Sequence, residues 1–371
     1  MTPWRRSGAR LAPTSSRTMG ELAATRAPEL TYVGRVARRG LRDGARGRVQ
    51  AVFDSSFYVA LGDQWICLGP QALGPGPLNA LWSAGKTIRF PAIGARVAVQ
   101  GDTLTVGSVT FAHKRLGPEP TPFLPRPWTA GTLARGLRAF EDLAPPLAPA
   151  EGLACMICDQ ESPPPYAVAA VGPATHLEEL VHRARECLPP RPDASVLAAL
   201  LGLGPGLTPS GDDLLGGALA TLAAVGLADL RDAVWASIAG AAPSLTNDIA
   251  LAHLSAAAEG ECAPTVTDAI DALLSGSYRQ LSHALNGLRT IGHTSGWDAL
   301  AGVVTVLRGL ERALSEGDAR CRPMNASKRT GGLRPDCDAA ALRPYRTFAG
   351  GSAVRQNRTL PEARSSLSSR R

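Results

Sequence analysis

Residues 202–217 read GLGPGLTPSGDDLLGG, and the rest of the fold can be predicted outward from this stretch, which we call segment A. Apolar residues with helical spacing run up to Leu201 and resume near Gly211, so we predict a helix, a tight glycine-rich loop and a second helix. Glycine permits positive φ angles and lets a ligand approach backbone N–H groups closely. Because a helix N-terminus attracts negative charge, segment A predicts an anion-binding site.

Segment A does not match the two common phosphate-binding motifs. No Lys-Ser or Lys-Thr follows the glycines, as a P-loop requires, and no strand pattern precedes them, as a dinucleotide-binding fingerprint requires. Thr208 and Ser210 instead supply hydroxyl groups ahead of the second helix. Asp212 and Asp213 fall in its first turn, where carboxylates stabilise a helix through its dipole. The same carboxylates could bind Mg²⁺ or act as a base toward a substrate amide, and the sequence leaves these interpretations open.

A second stretch, residues 292–298 (segment B), repeats this pattern with the sequence GHTSGWD. A helix is predicted to end before Gly292, and Thr294, Ser295 and Asp298 lead into the next helix. His293 is either a general acid or base, or a donor to an anion, or a residue that caps a helix. We predict Trp297 as a core residue.

A third stretch, residues 244–248 (segment C), reads SLTND. Thr246 or Asn247 is predicted to cap the helix that follows, and Asn247 is also a candidate for substrate binding. We predict that the helix N-termini of the three segments converge on one pocket. Ser210 and Ser295 should then lie closer than about 20 Å, the range beyond which sites are treated as separate.

The pattern around these segments predicts an α+β chain in which a β-rich module precedes a mainly α-helical domain. Short apolar runs with turn signals between them predict an antiparallel sheet or barrel of five to seven strands, with a hairpin at Gly101 and Asp102. A single CxxC, Cys155 to Cys158, has no second pair for a zinc site and is predicted as a strand with two buried thiols. The predicted ranges are a disordered Arg-rich tail at 1–46, the β-rich module at 47–115, a Pro-rich linker at 116–128, the ligand-binding helical domain at 129–316 and a second disordered Arg-rich tail at 317–371.

The distribution of charge argues against nucleic acid as a partner. Residues 1–48 and residues 317–371 each carry a net charge of +8, so residues 49–316 carry −9, although the whole chain carries +7. A nucleic-acid-binding protein is expected to place its basic residues on a folded face.

The sequence contains no run of 18 or more uninterrupted apolar residues, so we predict no membrane-spanning helix. An odd number of irregularly spaced cysteines, seven in all, favours a cytoplasmic location.

Segment A, the stretch 245–260 and the string Ile-Gly-His-Thr-Ser-Gly-Trp-Asp-Ala-Leu-Ala-Gly at 291–302 together resemble a largely uncharacterised bacterial family. That family includes the AllH-type subunit of oxamate carbamoyltransferase, which acts in allantoin breakdown. The resemblance covers roughly residues 30–315, outside the two Arg-rich tails. It implies a cytoplasmic transferase subunit in a hetero-complex with other proteins, which converts oxalurate and phosphate to oxamate and carbamoyl phosphate.

The resemblance also implies roles for individual residues. Asp212, Asp213 and His293 would be the catalytic groups nearest the reacting carbon. The substrate would be held by segment A on one side and by segment B on the other; the residues are Gly204, Gly206, Thr208, Ser210 and Gly211, and opposite them Thr294, Ser295 and Gly296. Asn247 and Asp298 are further candidate substrate contacts because of their places in segments C and B. The resemblance does not identify a cofactor; Mg²⁺ is the candidate that the paired aspartates could hold. The alternative function is a non-catalytic protein that binds or senses a small anion.

Overall fold

The N-terminal part of the protein forms one mixed sheet of eight strands in the order β1-β5-β4-β3-β2-β6-β7-β8. The computed structural model describes residues 27–83, 88–113, 116, 125–158, 162–184 and 191–320. Neighbouring strands are antiparallel except β4 and β5, which are parallel. The strands are β1 Leu30–Val33, β2 Arg46–Val52, β3 Phe57–Leu61, β4 Gln64–Pro70, β5 Asn79–Trp82, β6 Arg96–Gln100, β7 Thr103–Val106 and β8 Val109–Ala112.

The sheet curls until its two edge strands meet, so that it is nearly a barrel. A parallel bridge joins Glu29, just before β1, to Ala112 at the end of β8. Phe57, Trp82 and Phe111 are buried inside and their rings contact one another through Trp82. Closure removes the unpaired edges that an open sheet would expose.

The rest of the described chain is helical. After the short α1 Arg35–Gly40 inside the β-rich module, ten helices follow in the described residues. They are α2 Ala130–Leu143, α3 Pro165–Ala184, α4 Ala194–Ala198, α5 Ser210–Ala224, α6 Ala228–Ile238, α7 Ala242–Leu245, α8 Asp248–Ala258, α9 Pro264–Ser275, α10 Tyr278–Leu288 and α11 Ser295–Arg320.

Helices α5 and α11 form the centre of the helical core and approach each other through glycine. A Cβ atom added to Gly217 of α5 would lie 1.9 Å from the carbonyl oxygen of Ala299, and one added to Gly302 of α11 would lie 1.9 Å from that of Leu214. Only glycine permits two helix backbones to come this close. The contact fixes the N-termini of α5 and α11, and therefore segments A and B, side by side.

Helix α8 lies between α5 and the β-rich module. Ile249 packs against Tyr58 of β3 and Cys67 of β4, and Ala256 packs against the module near Val36. On its other side, the methyl group of Ala257 is 3.8 Å from where a Cβ atom on Gly216 of α5 would be. Glu261, three residues after the end of α8, forms an ion pair with Arg35 of α1, with Oε1 and Nε 2.5 Å apart. This ion pair links the chain after α8 to the module.

The predicted α+β class and the helical domain after the β-rich module are confirmed, and four details of the prediction are wrong. The sheet has eight strands and one parallel pair instead of five to seven antiparallel strands. Disorder at 1–46 is wrong for residues 27–46, which include β1 and α1, while residues 1–26 lie outside the described residues. The CxxC segment forms a turn of 3₁₀ helix at Ala154–Met156, not a strand, because glycine and proline on both sides favour turns. Helix α11 runs to Arg320, into the predicted tail at 317–371, of which residues 321–371 lie outside the described residues.

Candidate functional site

Segments A, B and C meet in space. The side-chain oxygens of Thr208 in segment A and Ser295 in segment B are 2.9 Å apart and share a hydrogen bond. The amide Nδ2 of Asn247 in segment C donates a hydrogen bond of 2.8 Å to the carbonyl oxygen of Leu207. The three helix N-termini therefore lie together, as predicted, whereas a pocket between them stays a prediction.

Positive φ angles shape the loop of segment A. Gly204 and Gly206 have φ angles of +101° and +107°, which residues with a side chain rarely adopt. Gly211, at the start of α5, would place a Cβ atom 2.1 Å from the carbonyl oxygen of Leu200. These glycines are required by the backbone itself, whatever the loop binds.

Several backbone N–H groups in the first turns of α5 and α11 already have acceptors within the chain. The N–H of Gly211 donates to the carbonyl of Leu203 at 2.8 Å, and the N–H of Gly296 donates to that of Ile291 at 3.2 Å. The N–H of Asp213 donates to the carbonyl of Pro209 at 3.1 Å. A ligand would therefore be held by side-chain hydroxyls and the glycine loop more than by free N–H groups of the helix ends.

Asp212 ties segment A to segment C. Its carboxylate accepts a hydrogen bond of 2.5 Å from the hydroxyl of Thr246 and bonds of 3.3 Å from the N–H of Gly202. Burial raises the pKa of Asp212, and the bonds from Thr246 and Gly202 oppose that rise. Both carboxylate oxygens are used inside the protein, which indicates that Asp212 fixes the loop.

Asp298 does the same for segment B. It is fully buried, its Oδ1 accepts a bond of 2.6 Å from the N–H of Leu153, and its Oδ2 accepts one of 2.8 Å from the hydroxyl of Thr294. Burial raises the pKa of Asp298, while these bonds and one from the hydroxyl of Ser210 in segment A lower it. Asp298 thus joins α11, α5 and the turn at Gly152.

Asp213 differs from its two acidic neighbours. Its Oδ2 atom is buried and has no hydrogen-bond partner, although part of the residue is accessible. Burial raises the pKa of Asp213 well above its ordinary value; the hydroxyls of Ser295 and Thr208 oppose the rise, and the charges of Asp298 and Asp212 add to it. The charges that act on Asp213 from the described residues are thus negative. A buried carboxyl with a raised pKa and an unused oxygen is what a general acid or a ligand-binding group requires.

His293 lies on the surface, next to Thr294 of segment B. Its Nε2 is 2.8 Å from Oε2 of Glu151, and both side chains are more than two-thirds exposed. The structure therefore does not bring His293 into contact with Asp212, Asp213 or Asp298. Its predicted catalytic role stays a prediction, with a hydrogen bond to Glu151 as the contact that the structure provides.

The other candidates have local roles that the structure makes clear. Asn247 is the N-cap of α8, where its Oδ1 accepts from the N–H groups of Ile249 and Ala250 at 3.0 Å. Trp297 is buried in the core, as predicted. Among the described residues, no group of three or more His, Cys, Asp or Glu side chains is arranged to hold a metal ion. The helices in that part of the chain also include none that is long and apolar enough to cross a membrane.

Several residues at the site belong to none of the three segments. Leu153 contributes its N–H to Asp298, and Gly152 is held close, since a Cβ atom there would lie 2.5 Å from Asp298 Oδ1. Tyr58, from the β-rich module, packs against Ile249 at the start of α8, beside segment C. No local pattern in the sequence indicates these long-range contacts; the glycine beside Glu151 was the one available signal.

Segments A, B and C together form what we call the loop cluster. The fold and this cluster define an α+β chain in which three helix N-termini surround a buried acid. Residues 200–307 match the family model described as oxamate carbamoyltransferase subunit AllH, and all three segments lie within that range. The match supports membership of the chain in that family. No significant match was found among curated proteins or among solved structures.

Proposed function

We propose that the chain is the subunit of an oxamate-carbamoyltransferase-type enzyme complex that binds a small carboxylate or amide substrate. The observation that carries the proposal is the buried, unpartnered Oδ2 of Asp213, at the point where the segments within the family match meet. Buried polar atoms in proteins nearly always have a partner, so one that lacks it suggests a place for a ligand. Here the ligand would supply the missing partner.

The polarity of the cluster suits a ligand with an amide beside an acid group. An amide N–H of the ligand can donate to the unused oxygen of Asp213. In the described contacts, the hydroxyls of Thr208 and Ser295 interact only with each other and with Asp213. Each hydroxyl can rotate to donate a hydrogen bond to an anionic oxygen of the ligand. Oxalurate and oxamate both have this combination of groups.

Asp213 can then serve as the proton donor of a phosphorolysis. An oxygen of hydrogen phosphate forms a bond to the carbamoyl carbon, and the bond from that carbon to the adjoining nitrogen breaks. The nitrogen leaves as the amide of oxamate and takes up one proton, while the attacking phosphate loses one. Asp213, whose pKa is raised mainly by burial, donates the first proton and regains the second.

The family description calls AllH a subunit, which favours a hetero-complex. Partner chains would supply the parts of the phosphate site that the described residues do not. If the chain binds oxamate but forms no carbamoyl phosphate with any partner, the alternative of a non-catalytic anion-binding protein is favoured instead.

The test is an assay of the complex. The chain is co-expressed with the products of neighbouring genes and purified through a tag on this chain, and carbamoyl phosphate is measured with oxalurate and phosphate as substrates. Asp213→Asn keeps the shape and polarity of the side chain but cannot transfer a proton. We expect it to lower kcat by about 100-fold or more with little change in KM for oxalurate.

Asp142→Asn is the matched control, because Asp142 is an exposed acid on α2 outside the loop cluster. It should leave both kinetic constants unchanged. Full activity in Asp213→Asn would refute the proton-donor role. Absence of both oxalurate turnover and oxamate binding in the wild-type complex would refute the proposed function.

A further inference from the structure

Polar side chains lie in the interface between the β-rich module and α8, where apolar contacts would be expected. The hydroxyl of Tyr58 in β3 is 3.3 Å from Nε2 of His253 in α8. Their rings meet edge to face with centroids 6.4 Å apart. Tyr58 also interacts with the thiol of Cys67, which interacts in turn with Ser56. Burying such groups costs free energy unless they are paired, and a purely structural contact needs none of them.

This pair lies beside the loop cluster. Helix α8 begins at segment C and packs on Gly216, which is one turn after Asp213 on α5. Tyr58 packs against Ile249, two residues after Asn247, the segment C residue that caps α8. Burial and Cys67 raise the pKa of Tyr58 most. Tyr58 therefore keeps its proton. His253 is neutral near pH 7, because burial lowers its pKa to about 4. Both members of the pair are thus uncharged at neutral pH.

We propose that Tyr58 is a further substrate-binding residue, contributed by the β-rich module, and that His253 is the positioning residue that orients its hydroxyl. This inference rests on the proposed function and adds to it. Because Tyr58 is neutral, it donates its one O–H to a carbonyl or carboxylate oxygen of the organic ligand, and Nε2–H of His253 donates to the phenol oxygen in their shared hydrogen bond. The ligand then lies between the helical loops and the module.

A neutral donor also explains how the site distinguishes its ligands. A hydroxyl fixed by His253 points in one direction, so it selects a planar carboxylate or amide oxygen at one position. A positive group would attract any anion, including free phosphate. The β-rich module, which lies outside the family match, would therefore set specificity for the organic substrate.

The experiment is calorimetric titration of the full chain with oxamate and, separately, with inorganic phosphate. We expect Tyr58→Phe to weaken oxamate binding about 10- to 100-fold, as loss of a hydrogen bond to a charged ligand does, and to leave phosphate binding unchanged. Tyr32→Phe is the matched control: Tyr32 is a half-buried tyrosine of the same module whose hydroxyl bonds to Gly76, and its loss should change neither titration. A purely structural role of Tyr58 would weaken both ligands together and would overturn the inference.

Two further variants separate this inference from the proposed function and guard against misfolding. Asp213→Leu removes the polar group on which the proposed function depends. If wild-type protein binds oxamate, Asp213→Leu does not, and Tyr58→Phe binds like wild type, only the inference fails; if wild type binds no oxamate, both fail. His253→Gln keeps a neutral hydrogen-bonding group and should retain binding, whereas His253→Ala should weaken it about tenfold. Equal binding by both His253 variants would overturn the positioning role, and circular dichroism at the titration temperature confirms that each variant is folded.

Discussion

The hydroxyl oxygens of Thr208 and Ser295 lie 2.9 Å apart although 87 residues separate them in the sequence. This hydrogen bond joins the glycine-rich start of α5 to the start of α11. It exists because Gly217 and Gly302 let the two helices approach closely. The bond is therefore a direct measure of whether segments A and B are held together.

A double-mutant cycle on this pair should show coupling. Thr208→Val and Ser295→Ala each remove one hydroxyl, and each should lower the free energy of unfolding by about 0.5–1.5 kcal/mol. The double variant should lose less than the sum of the two, because the shared bond can be lost only once. Urea denaturation of the four proteins measures this. Strict additivity would show that the two hydroxyls do not interact.

Asp212→Ala should destabilise the protein. The substitution leaves the hydroxyl of Thr246 and the N–H of Gly202 without the acceptor that they use in the structure. We expect a loss of about 1–3 kcal/mol in the free energy of unfolding, measured at pH 7 by denaturant titration. Asp248→Ala, at an exposed position in the first turn of α8, is the control and should cost less. A loss no larger than that of the control would contradict the structural role of Asp212.

Asp213→Asn should have the opposite effect, although the two acids are adjacent in sequence. Burial raises the folded-state pKa of Asp213, so the folded protein is more stable when this carboxyl is protonated. Stability from this group is present at low pH and is lost as pH rises through the folded-state pKa. Asn imitates the protonated form, so the variant should gain about 1–3 kcal/mol over wild type at pH 7. Near pH 3.5 the two proteins should be about equally stable, and a loss of stability at pH 7 would refute this account.

The sequence predicted the parts of the site that local chemistry determines. Glycines, hydroxyls and acids around Ser210 and Ser295 predicted helix N-termini that either bind an anion or are capped by their own side chains. The structure has helices that begin at both residues. What the sequence could not show is which acid is already satisfied. Asp212 and Asp213 are equivalent in pattern, but the hydroxyl of Thr246 reaches only the first. That difference depends on the approach of a distant segment, which no local spacing records.

The fold shows the same limit. Alternating residues predicted the strands, but the parallel pairing of β4 with β5 and the bridge from Glu29 to Ala112 depend on contacts distant in sequence. The strand at Leu30–Val33 was not predicted, because the Arg-rich sequence around it indicated a disordered tail. Its residues become a strand because β5 offers a free edge that pairs with them.

Gly302→Ala should be among the most destabilising single substitutions in the helical domain. The added Cβ atom would lie 1.9 Å from the carbonyl oxygen of Leu214, so α5 and α11 would have to separate. We expect a loss of about 3 kcal/mol or more, by overpacking. Gly131→Ala is the matched control: Gly131 is an exposed residue inside α2, and the atoms nearest to the added Cβ lie at 3.8 Å and 3.9 Å. The control should gain about 0.5–1 kcal/mol from helix propensity, and equal effects at the two sites would contradict close packing of α5 on α11.

His253 should make the stability of the protein depend on pH between about 4 and 6.5. Burial lowers its folded-state pKa to about 4, so the unfolded chain takes up a proton at His253 in this range while the folded protein does not. The stability linked to this group is therefore fully present above pH 6.5 and is lost as pH falls through that range, to a total of about 3 kcal/mol. In His253→Gln, which stays neutral, this part of the acid sensitivity should disappear. Denaturant titrations of both proteins at pH 7.5 and pH 4.5 measure it: the stability difference between the pH values should be clearly larger for wild type. Identical differences in the two proteins would mean that His253 is accessible to protons, and that α8 does not hold it closed against Tyr58.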